Sequence, residues 1–359
     1  MVRVKNFIDT DVLTEAKKRI HHIFDIFDTV VVMFSGGKDS LVVLHLVREC
    51  MQERWPEHDQ HSVSVVFRDE ELIPDSVINF VDHYRRLDWI NMLWFTVPLA
   101  STKYTMGVCH SYVQWDPARG PDRWVRPKPE WGINLEPGDD RVFDQYTMDS
   151  FVAQNFRGKI AFLTGIRAAE SLIRFRSCVN KLNENYINGV VDPRAANVKL
   201  CKPIYDWQED DVFRYFYERG IRYCQIYDDQ MWAGSALRVS TPLHAEAAKK
   251  FDKVRVTNPD FYQRVVNAFP EMLVHERYFK EMDKGALARQ YGQTYEGVRL
   301  WIDENILDEK QHALAVKRFN SAMGRAITRP DLYPPAYMLG AFTGGSFKRE
   351  ILPLAKGAQ

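Results

Sequence analysis

Cysteine is scarce in this sequence and is spaced too widely to build a metal site or a disulfide framework. The 359 residues contain five cysteines, an odd number, and no two of them form a C-x-x-C pair. This pattern argues against a disulfide scaffold, a zinc ribbon and a cysteine-ligated iron–sulfur cluster. We therefore expect free thiols in a reducing, cytoplasmic compartment, with no zinc and no iron–sulfur cofactor.

The sequence also lacks an excess of charge of either sign and a long apolar run. Lysine plus arginine and aspartate plus glutamate number 48 each, so a nucleic-acid ligand would need a local basic patch. No apolar run reaches the about 18 residues that indicate a transmembrane helix. The beginning of the chain lacks the apolar core and small-residue cleavage site of a secretory leader. We predict a globular protein that does not enter a membrane.

Short apolar runs alternate with helical periodicity in the first half of the chain. Residues 12–27 place apolar side chains on one helical face, with Thr10 or Asp11 as the N-cap. Strand-like runs rich in β-branched and aromatic residues occupy residues 29–34, 62–67, 92–98 and 159–166. Such alternation predicts an α/β fold with a doubly wound, mainly parallel sheet.

The second half of the chain is mainly helical. A helical pattern with an acidic first turn begins near Trp207 and ends at Gly220, and helical periodicity returns from about residue 258 to about residue 327. We therefore predict a nucleotide-binding domain over residues 1–240 and a mainly helical region over residues 241–359.

A long segment between the third and fourth strand-like runs, roughly residues 100–140, is dense in proline, glycine and tryptophan. Its aromatic and basic residues are interleaved, namely Trp115, Trp124, Trp131, Arg119, Arg123, Arg126 and Lys128. We predict an irregular insertion with one of two roles. It is either a lid or surface that stacks bases and contacts phosphates, or a loop pinned over the domain by its own aromatic residues.

Residues 35–40 form a glycine-rich loop between the first strand and the following helix. They are Ser35, Gly36, Gly37, Lys38, Asp39 and Ser40. The Walker pattern is absent. The loop nevertheless has the chemistry of an anion site, because glycines let the backbone approach an anion and helix N-terminal amides donate to its oxygens. Lys38 adds a positive charge, and the two serines add hydroxyl donors. Asp39 is unfavourable beside a phosphate unless a cation intervenes, so it either helps to hold Mg²⁺ or caps the helix.

This loop resembles the S-G-G-x-D-S loop of the PP-loop ATP pyrophosphatase superfamily, whose fold is adenine nucleotide alpha-hydrolase-like. Within the superfamily, the chain resembles the phosphoadenosine phosphosulfate (PAPS) reductase family, which also includes the small subunit of ATP sulfurylase. The resemblance implies that the loop binds the pyrophosphate end of ATP and that cleavage falls between the α and β phosphates. A Walker loop, by contrast, usually serves γ-phosphate transfer.

Further stretches carry the same resemblance, which covers roughly residues 10–240. They are residues 65–84, 163–176, 199–221 and 226–238. In the first of them, the acidic turn that begins at Asp69 is expected to lie near the nucleotide. The second resembles the family's G-x-R-x-x-E-S-x-x-R segment through Gly165, Arg167, Glu170, Ser171 and Arg174. The resemblance therefore adds Asp69, Gly165 and Arg167 to the expected nucleotide contacts.

Arg167 and Arg174 suit an anion site because a guanidinium binds phosphate or sulfate bidentately and stays charged. Seven residues apart, they would lie on the same side of a helix if the segment is helical. The alternative is that both are surface arginines paired with Glu170 and solvent. We favour contact with the anion.

The chain departs from the family at the cysteine that sulfonucleotide reduction requires. The last cysteine is Cys224, and the tail contains no E-C-G-L/I-H motif. A thiolate nucleophile is indispensable to that reduction, so α–β phosphate chemistry is expected instead. We expect Mg²⁺-ATP on the loop, with Lys38 stabilising the departing pyrophosphate and Arg167 and Arg174 orienting an oxyanion acceptor or the phosphates. The products would be pyrophosphate and either AMP or an adenylylated acceptor.

The overall layout resembles the PAPS-reductase-like proteins of prophages and mobile elements. Some of these are described as co-activators of prophage gene expression and are paired with a ParB-like protein. The resemblance thus implies a ParB-like partner and an alternative function, that of a nucleotide-gated regulator with little turnover. A nucleic-acid ligand and a homo-oligomer are left open.

Residues 285–306 have the spacing of a DNA-binding helix-turn-helix. Ala288, Gly292, Val298 and Trp301 occupy the small, turn and apolar positions, and Thr294 would cap the second helix. The outward positions are not strongly basic, so an ordinary helical hairpin is the alternative, and the one we prefer.

Overall fold

The computed structural model describes residues 8–56, 62–179, 185–279 and 284–354. The first seven residues, to which part of the leader interpretation applies, and the last five residues of the tail lie outside the described residues. Among the helices in these ranges, none combines the length and the hydrophobicity needed to span a bilayer.

The described residues contain strands and helices in the following chain order. The strands are β1 Thr29–Met33, β2 Val63–Arg68, β3 Ile90–Phe95, β4 Leu99–Thr105, β5 Val108–Gln114, β6 Ile160–Leu163, β7 Ile187–Gly189 and β8 Val198–Cys201. The first seven helices are α1 Val12–Ile26, α2 Lys38–Arg54, α3 Asp75–Arg85, α4 Gln145–Ala153, α5 Leu172–Val179, α6 Glu209–Arg219 and α7 Ile226–Trp232. The others are α8 Ala245–Ala248, α9 Phe251–Thr257, α10 Pro259–Ala268, α11 Glu271–Tyr278, α12 Lys284–Tyr291, α13 Tyr295–Asn305, α14 Glu309–Ala326 and α15 Pro335–Thr343.

The chain forms two compact units. The first takes in the described residues of 1–99, 114–118 and 126–239, and the second takes in those of 100–113, 119–125 and 240–359. The second unit therefore includes the β4–β5 hairpin, which the sequence interpretation assigned to the nucleotide-binding domain. The predicted functional division at residue 240 stays a prediction.

The first unit contains a six-stranded sheet in the order β3-β2-β1-β6-β8-β7. Neighbouring strands are parallel except β7, which runs antiparallel to β8 at the edge. In the centre, Val31 of β1 pairs with Ser64 of β2 on one side and Phe162 of β6 on the other. The predicted α/β fold with a mainly parallel sheet and C-terminal helices is confirmed.

Both faces of this sheet are covered, as its apolar strands predict. Successive residues alternate between two cores, since Val32 packs with α1, α2, α3 and α6 whereas Val31 packs with α4. A strand that is buried on both faces needs apolar residues at successive positions, which is why residues 30–33 of β1 are a continuous apolar run. The predicted N-cap is Asp11, whose carboxylate accepts from Thr14 N at 2.8 Å.

The predicted irregular insertion contains regular structure, so that prediction was wrong for its first part. Strands β4 and β5 form a two-stranded sheet joined at Met106 and Gly107, whose φ angles are 49° and 86°. Positive φ at both central residues suits the twist of a two-residue hairpin. Many residues of β4 and β5 are polar, and the stretch that follows is rich in proline and glycine, so the segment resembled a loop. Strands β7 and β8 were also not predicted, because they are short and are interrupted by polar residues, namely Asn188 in β7 and Lys199 in β8.

The helices α13, α14 and α15 enclose a separate core in the second unit. Trp301, Phe319 and Phe342 are among its buried residues. The hairpin belongs to the same unit and is tied to it by His275 of α11. His275 Nδ1 accepts from Met106 N at 3.0 Å, and its Nε2 lies 3.0 Å from Ala248 O.

Candidate nucleotide-binding site

The strand order of the sheet creates a crevice at the carboxyl ends of β1 and β6. From β1 the chain proceeds outward to β2 and β3, and it then returns to place β6 on the other side of β1. Ligands of doubly wound proteins bind at such a switch point, because the two connections diverge there. The loop 35–40 follows β1 and Gly165 follows β6, so the sheet brings both predicted segments to this crevice.

The glycine-rich loop is closed by its own hydroxyl groups. Ser35 Oγ lies 3.0 Å from Ser40 Oγ, Ser40 Oγ donates to Gly37 O at 2.9 Å, and Ser35 N donates to Ser40 Oγ at 3.1 Å. Gly36 has a φ of 72°, and a Cβ there would lie 2.8 Å from both Val77 and Val81 of α3. Only glycine combines this backbone conformation with this close packing.

The first turn of α2 presents backbone donors to the crevice. Gly37 is the N-cap, and because glycine has no side chain it caps none of the first amides of the helix. The amides of Gly36, Asp39 and Ser40 have no acceptor among the described residues. A helix N-terminus with unengaged amides attracts anions.

Gly165 contacts this turn through its backbone. A Cβ at Gly165 would lie 2.5 Å from Asp39 C and 2.6 Å from Ser40 N. No side chain fits between the two segments, so the glycine allows the end of β6 to touch the beginning of α2. The sequence prediction for Gly165 rested on resemblance, whereas the structure supplies this steric reason.

Arg167 reaches the same turn through its side chain. It is 4% exposed, and its Nε donates to Asp39 Oδ1 at 2.6 Å. The Asp39 carboxylate therefore does not cap α2, which was one of its two predicted roles. Its other oxygen lies 3.4 Å from Lys38 Nζ. A carboxylate held between two cations is poorly suited to a metal ion, and the described residues place no trio of histidine, cysteine or acidic ligands at the loop.

Lys38 is buried beside the loop and is held by groups from later in the chain. Its Nζ lies 3.1 Å from Glu209 Oε1 and donates to Leu237 O at 3.0 Å. Its backbone N donates to the Tyr227 hydroxyl at 2.7 Å. The ammonium group is thus neutralised by carboxylates in this arrangement, and a bound phosphate would compete with them.

Glu170 joins the two predicted arginines. Its carboxylate accepts from Arg167 N and pairs with the Arg174 guanidinium. The two arginines do not share one helix, because Ser171 adopts an extended conformation between a short 3-10 turn and α5. Arg174 is about one-third exposed, whereas Arg167 is buried, so only Arg174 matches the surface alternative.

Asp69 lies at the carboxyl end of β2 but is fully occupied by protein groups. It pairs with Arg126, accepts from Trp94 Nε1 at 2.8 Å and accepts from Glu71 N at 3.1 Å. Burial raises the pKa of this carboxyl group, and the nearby Arg126 opposes that rise. Its predicted contact with the nucleotide stays a prediction.

The tryptophan-rich insertion is anchored to this acidic turn. Trp115 is fully buried, with its N donating to Glu71 Oε2 at 2.6 Å and its indole donating to Asp69 O at 2.6 Å. Trp131 is 43% exposed and lies under the Arg85 guanidinium at 4.2 Å. Trp115 thus supports the pinned-loop alternative, and Trp131 is the exposed ring that base stacking would use.

The sequence did not single out Glu209 and Tyr227. Both are contributed by segments that follow β8, and each contacts Lys38. Only the resemblance of residues 226–238 to the family's Y-D loop pointed towards Tyr227. Contacts of this kind depend on tertiary placement and carry no local pattern.

The predicted helix-turn-helix segment forms two helices, α12 and α13. Thr294 caps the second by accepting from Gly297 N at 3.0 Å. The Arg299 guanidinium is paired with Asp303 on the same helix, and Glu296 is exposed. An acidic second helix disfavours DNA, so the helical-hairpin alternative fits the charges better.

Comparison with known proteins gives a family match over more than half of the chain. The model described as the phosphoadenosine phosphosulfate reductase domain matches residues 29–114 and 145–267. Both the loop 35–40 and Arg167 fall inside the matched ranges.

The individual proteins that resemble this chain share little sequence identity with it. The uncharacterized protein YbdN of Escherichia coli K12 is 26% identical over 266 residues, which cover 70% of this chain and 63% of YbdN. The match thus spans less than two thirds of that relative's length. A Candida glabrata FMN adenylyltransferase, solved with FMN and an ATP analogue, gives a TM-score of 0.40 at 14% identity, covering 60% of this chain and 58% of that one. A Candida auris PAPS reductase gives a TM-score of 0.37 at 15% identity, covering 63% and 90%.

Proposed function

This chain belongs to the phosphoadenosine phosphosulfate reductase domain family, and we propose that it binds ATP at residues 35–40 and cleaves it between the α and β phosphates. The products are pyrophosphate and either AMP or an adenylylated acceptor. The proposal rests above all on the backbone contact between Gly165 and the first turn of α2. This contact brings unengaged amides and a buried arginine into one crevice.

The groups around the crevice suit a leaving pyrophosphate. Amides at the helix N-terminus donate to phosphate oxygens, and Lys38 supplies the positive charge once it leaves Glu209. Arg167 is already oriented by Asp39, so it needs no reorganisation during the reaction. Donors that are fixed before the charge develops stabilise it more than mobile ones do.

Asp39 has a positioning role in this proposal rather than a metal-binding one. Its carboxylate holds Arg167 and lies beside Lys38, and it offers no free edge to a cation. Magnesium bound with ATP would be held by the phosphates themselves. Arg174 is placed to contact an acceptor or the α phosphate after it releases Glu170.

The thiols of this chain argue against sulfonucleotide reduction. All five cysteines are buried. Burial raises the pKa of Cys50 and Cys201 to about 12 and that of Cys224 to about 11. Reduction needs an accessible thiolate, and the three thiols with raised pKa values stay protonated at neutral pH. We therefore expect iodoacetamide to leave nucleotide cleavage by the native protein unchanged.

The direct test is to incubate the full chain with Mg²⁺ and ATP and to resolve the nucleotides by ion-exchange chromatography. AMP or an adenylylated product, together with pyrophosphate, is expected. Lys38→Met should lower this activity at least about tenfold, since it removes a charge at the phosphates. Lys18→Met, at an exposed lysine, is the matched control and should keep it. ADP with inorganic phosphate as the products would refute the proposal.

A second candidate function is a nucleotide-gated regulator that binds a ParB-like partner or DNA. It is favoured by the Lys38–Leu237 contact, because phosphate binding at Lys38 would release the segment 230–238. This segment carries Trp232, which is 91% exposed. The regulator predicts ATP-dependent retention of the partner with no turnover, and loss of that dependence in Lys38→Met. Equal retention with and without ATP would exclude it.

A further inference from the structure

Tyr227 is a buried residue whose hydroxyl group lies on the phosphate loop. The side chain is 1% exposed, and the hydroxyl oxygen accepts from Lys38 N at 2.7 Å. Its ring lies 5.3 Å from Lys38 Nζ and meets the ring of Tyr223 edge-on at 6.3 Å. Both the backbone and the side chain of Lys38 therefore contact this residue.

The hydroxyl proton of Tyr227 is unused. A phenolic oxygen can accept hydrogen bonds and donate one. Among the described residues it accepts one bond, and no acceptor is present for its own hydrogen. Burial also raises the pKa of Tyr227, so the group keeps its proton and remains a donor. A buried donor without a partner is unfavourable unless a ligand supplies the acceptor.

The location of the hydroxyl indicates which ligand that is. A Cβ at Gly37 would lie 3.1 Å from the Tyr227 oxygen and 3.1 Å from Ser35 Oγ. The space above Gly37 is thus bordered by two hydroxyl groups. The unengaged amides of Asp39 and Ser40 belong to the same helical turn. Ser35 Oγ is already engaged with Ser40 Oγ, so of these groups the Tyr227 hydroxyl and the two amides are the three donors left for a ligand. A tetrahedral oxyanion carries enough acceptor oxygens for all three.

We propose that Tyr227 is a phosphate-binding residue, whose hydroxyl accepts from Lys38 N and donates to a phosphoryl oxygen of the polyphosphate on the loop. This inference deepens the proposed function and rests on it for the identity of ATP. It requires only that an oxyanion bind at residues 35–40.

The experiment compares the wild-type chain with Tyr227→Phe by calorimetric titration of Mg²⁺-ATP, of inorganic pyrophosphate and of adenosine. Losing a hydrogen bond to a charged group should weaken both phosphate ligands roughly 10- to 100-fold. Adenosine, which has no phosphate, should bind both proteins equally. Tyr223→Phe is the matched control, because its hydroxyl donates to Asp228 Oδ1 at 3.0 Å. It should leave all three affinities unchanged.

The outcomes separate this inference from the proposed function. If Tyr227→Phe binds ATP and pyrophosphate as tightly as the wild type, the hydroxyl is structural and the inference is overturned. If the wild type binds pyrophosphate but not ATP, the proposed function fails, and the inference stands when Tyr227→Phe weakens pyrophosphate. Absence of binding for both anions overturns both.

A second measurement uses only the wild type, in case the variant does not fold. When a tyrosine hydroxyl begins to donate to an anion, its ultraviolet absorption moves to longer wavelength. Saturating pyrophosphate should therefore give a tyrosine difference spectrum with that shift. A flat tyrosine difference spectrum at saturation contradicts the inference.

Discussion

Arg167 Nε lies 2.6 Å from Asp39 Oδ1, which links the segment after β6 to the first turn of α2. The Arg167 side chain is 5% exposed and that of Asp39 is 17% exposed. The pair exists because the sheet places β1 and β6 side by side. Loss of either charge should therefore weaken the contact between these two segments.

Replacing Arg167 should be far more damaging than replacing Arg174. Arg167→Ala leaves a mostly buried carboxylate without its closest cation and should lower the free energy of unfolding by about 3 kcal/mol. Arg174→Ala removes an ion pair whose arginine is about one-third exposed and should cost less than about 1 kcal/mol. Urea denaturation measures both. Equal losses of unfolding free energy would show that the Arg167–Asp39 pair contributes no more to stability than the Glu170–Arg174 pair.

Gly165→Ala should separate the two segments of the crevice. The new Cβ would lie 2.5 Å from Asp39 C. This atom belongs to the backbone, which cannot move aside as the end of a flexible side chain can. We expect a loss of about 2 kcal/mol in stability, as for overpacking, and a weaker affinity for ATP.

Gly324→Ala is the control for this substitution. Gly324 is exposed within α14 and has open space at its Cβ position. Alanine there should raise stability by about 1 kcal/mol through helix propensity. Stabilisation by Gly165→Ala would contradict the described contact.

Glu209→Gln should strengthen ATP binding. The carboxylate lies 3.1 Å from Lys38 Nζ and competes with a phosphate for that cation. Removing a competing charge worth about 1 kcal/mol predicts an affinity gain of roughly fivefold, measured by calorimetry. Glu218→Gln, on the same helix but paired with Arg214, should have no effect. Weaker binding by Glu209→Gln would mean that Glu209 helps to position Lys38 for the ligand.

His45 should make the protein lose stability in mild acid. Burial, followed by the charge of Arg48, lowers the pKa of His45 to about 4. The unfolded chain binds a proton near pH 6.5 and the folded chain does not. Stability is therefore complete above pH 6.5 and is lost as the pH falls towards 4, by about 2–3 kcal/mol. Urea denaturation at several pH values should show this slope, and His45→Gln should reduce it. An unchanged slope in the variant would assign the acid sensitivity to other groups.

The parts of the fold that were predictable from sequence are those with a local cause. Strand β1 is apolar from Val30 to Met33 because both faces of the sheet are covered, and Asp11 precedes α1 because its carboxylate satisfies a free amide. The hairpin had no such pattern, since many of its strand residues are polar and the positive φ at Met106 is rarely adopted by a residue other than glycine.

The geometry of the candidate site was predictable where it depends on the backbone. The glycines and serines of residues 35–40 predict a tight turn before α2, and the structure shows why they are needed there: Gly36 has a positive φ, and the serine hydroxyls close the loop. Anion binding by this turn stays a prediction. The partners of that turn were not predictable in the same way. Glu209 and Arg126 are ordinary charged residues, and only the folded chain shows that they meet Lys38 and Asp69.

The interleaving of the two compact units has a consequence during translation. Tyr104 in the hairpin donates its hydroxyl to Thr343 O, 239 residues later, and its N donates to Leu243 O. At roughly 5–20 residues per second, the ribosome needs roughly 12–48 s to supply that acceptor. Until then the hairpin lacks this contact, and once it has left the ribosome its two strand edges are the surface that a chaperone would have to shield.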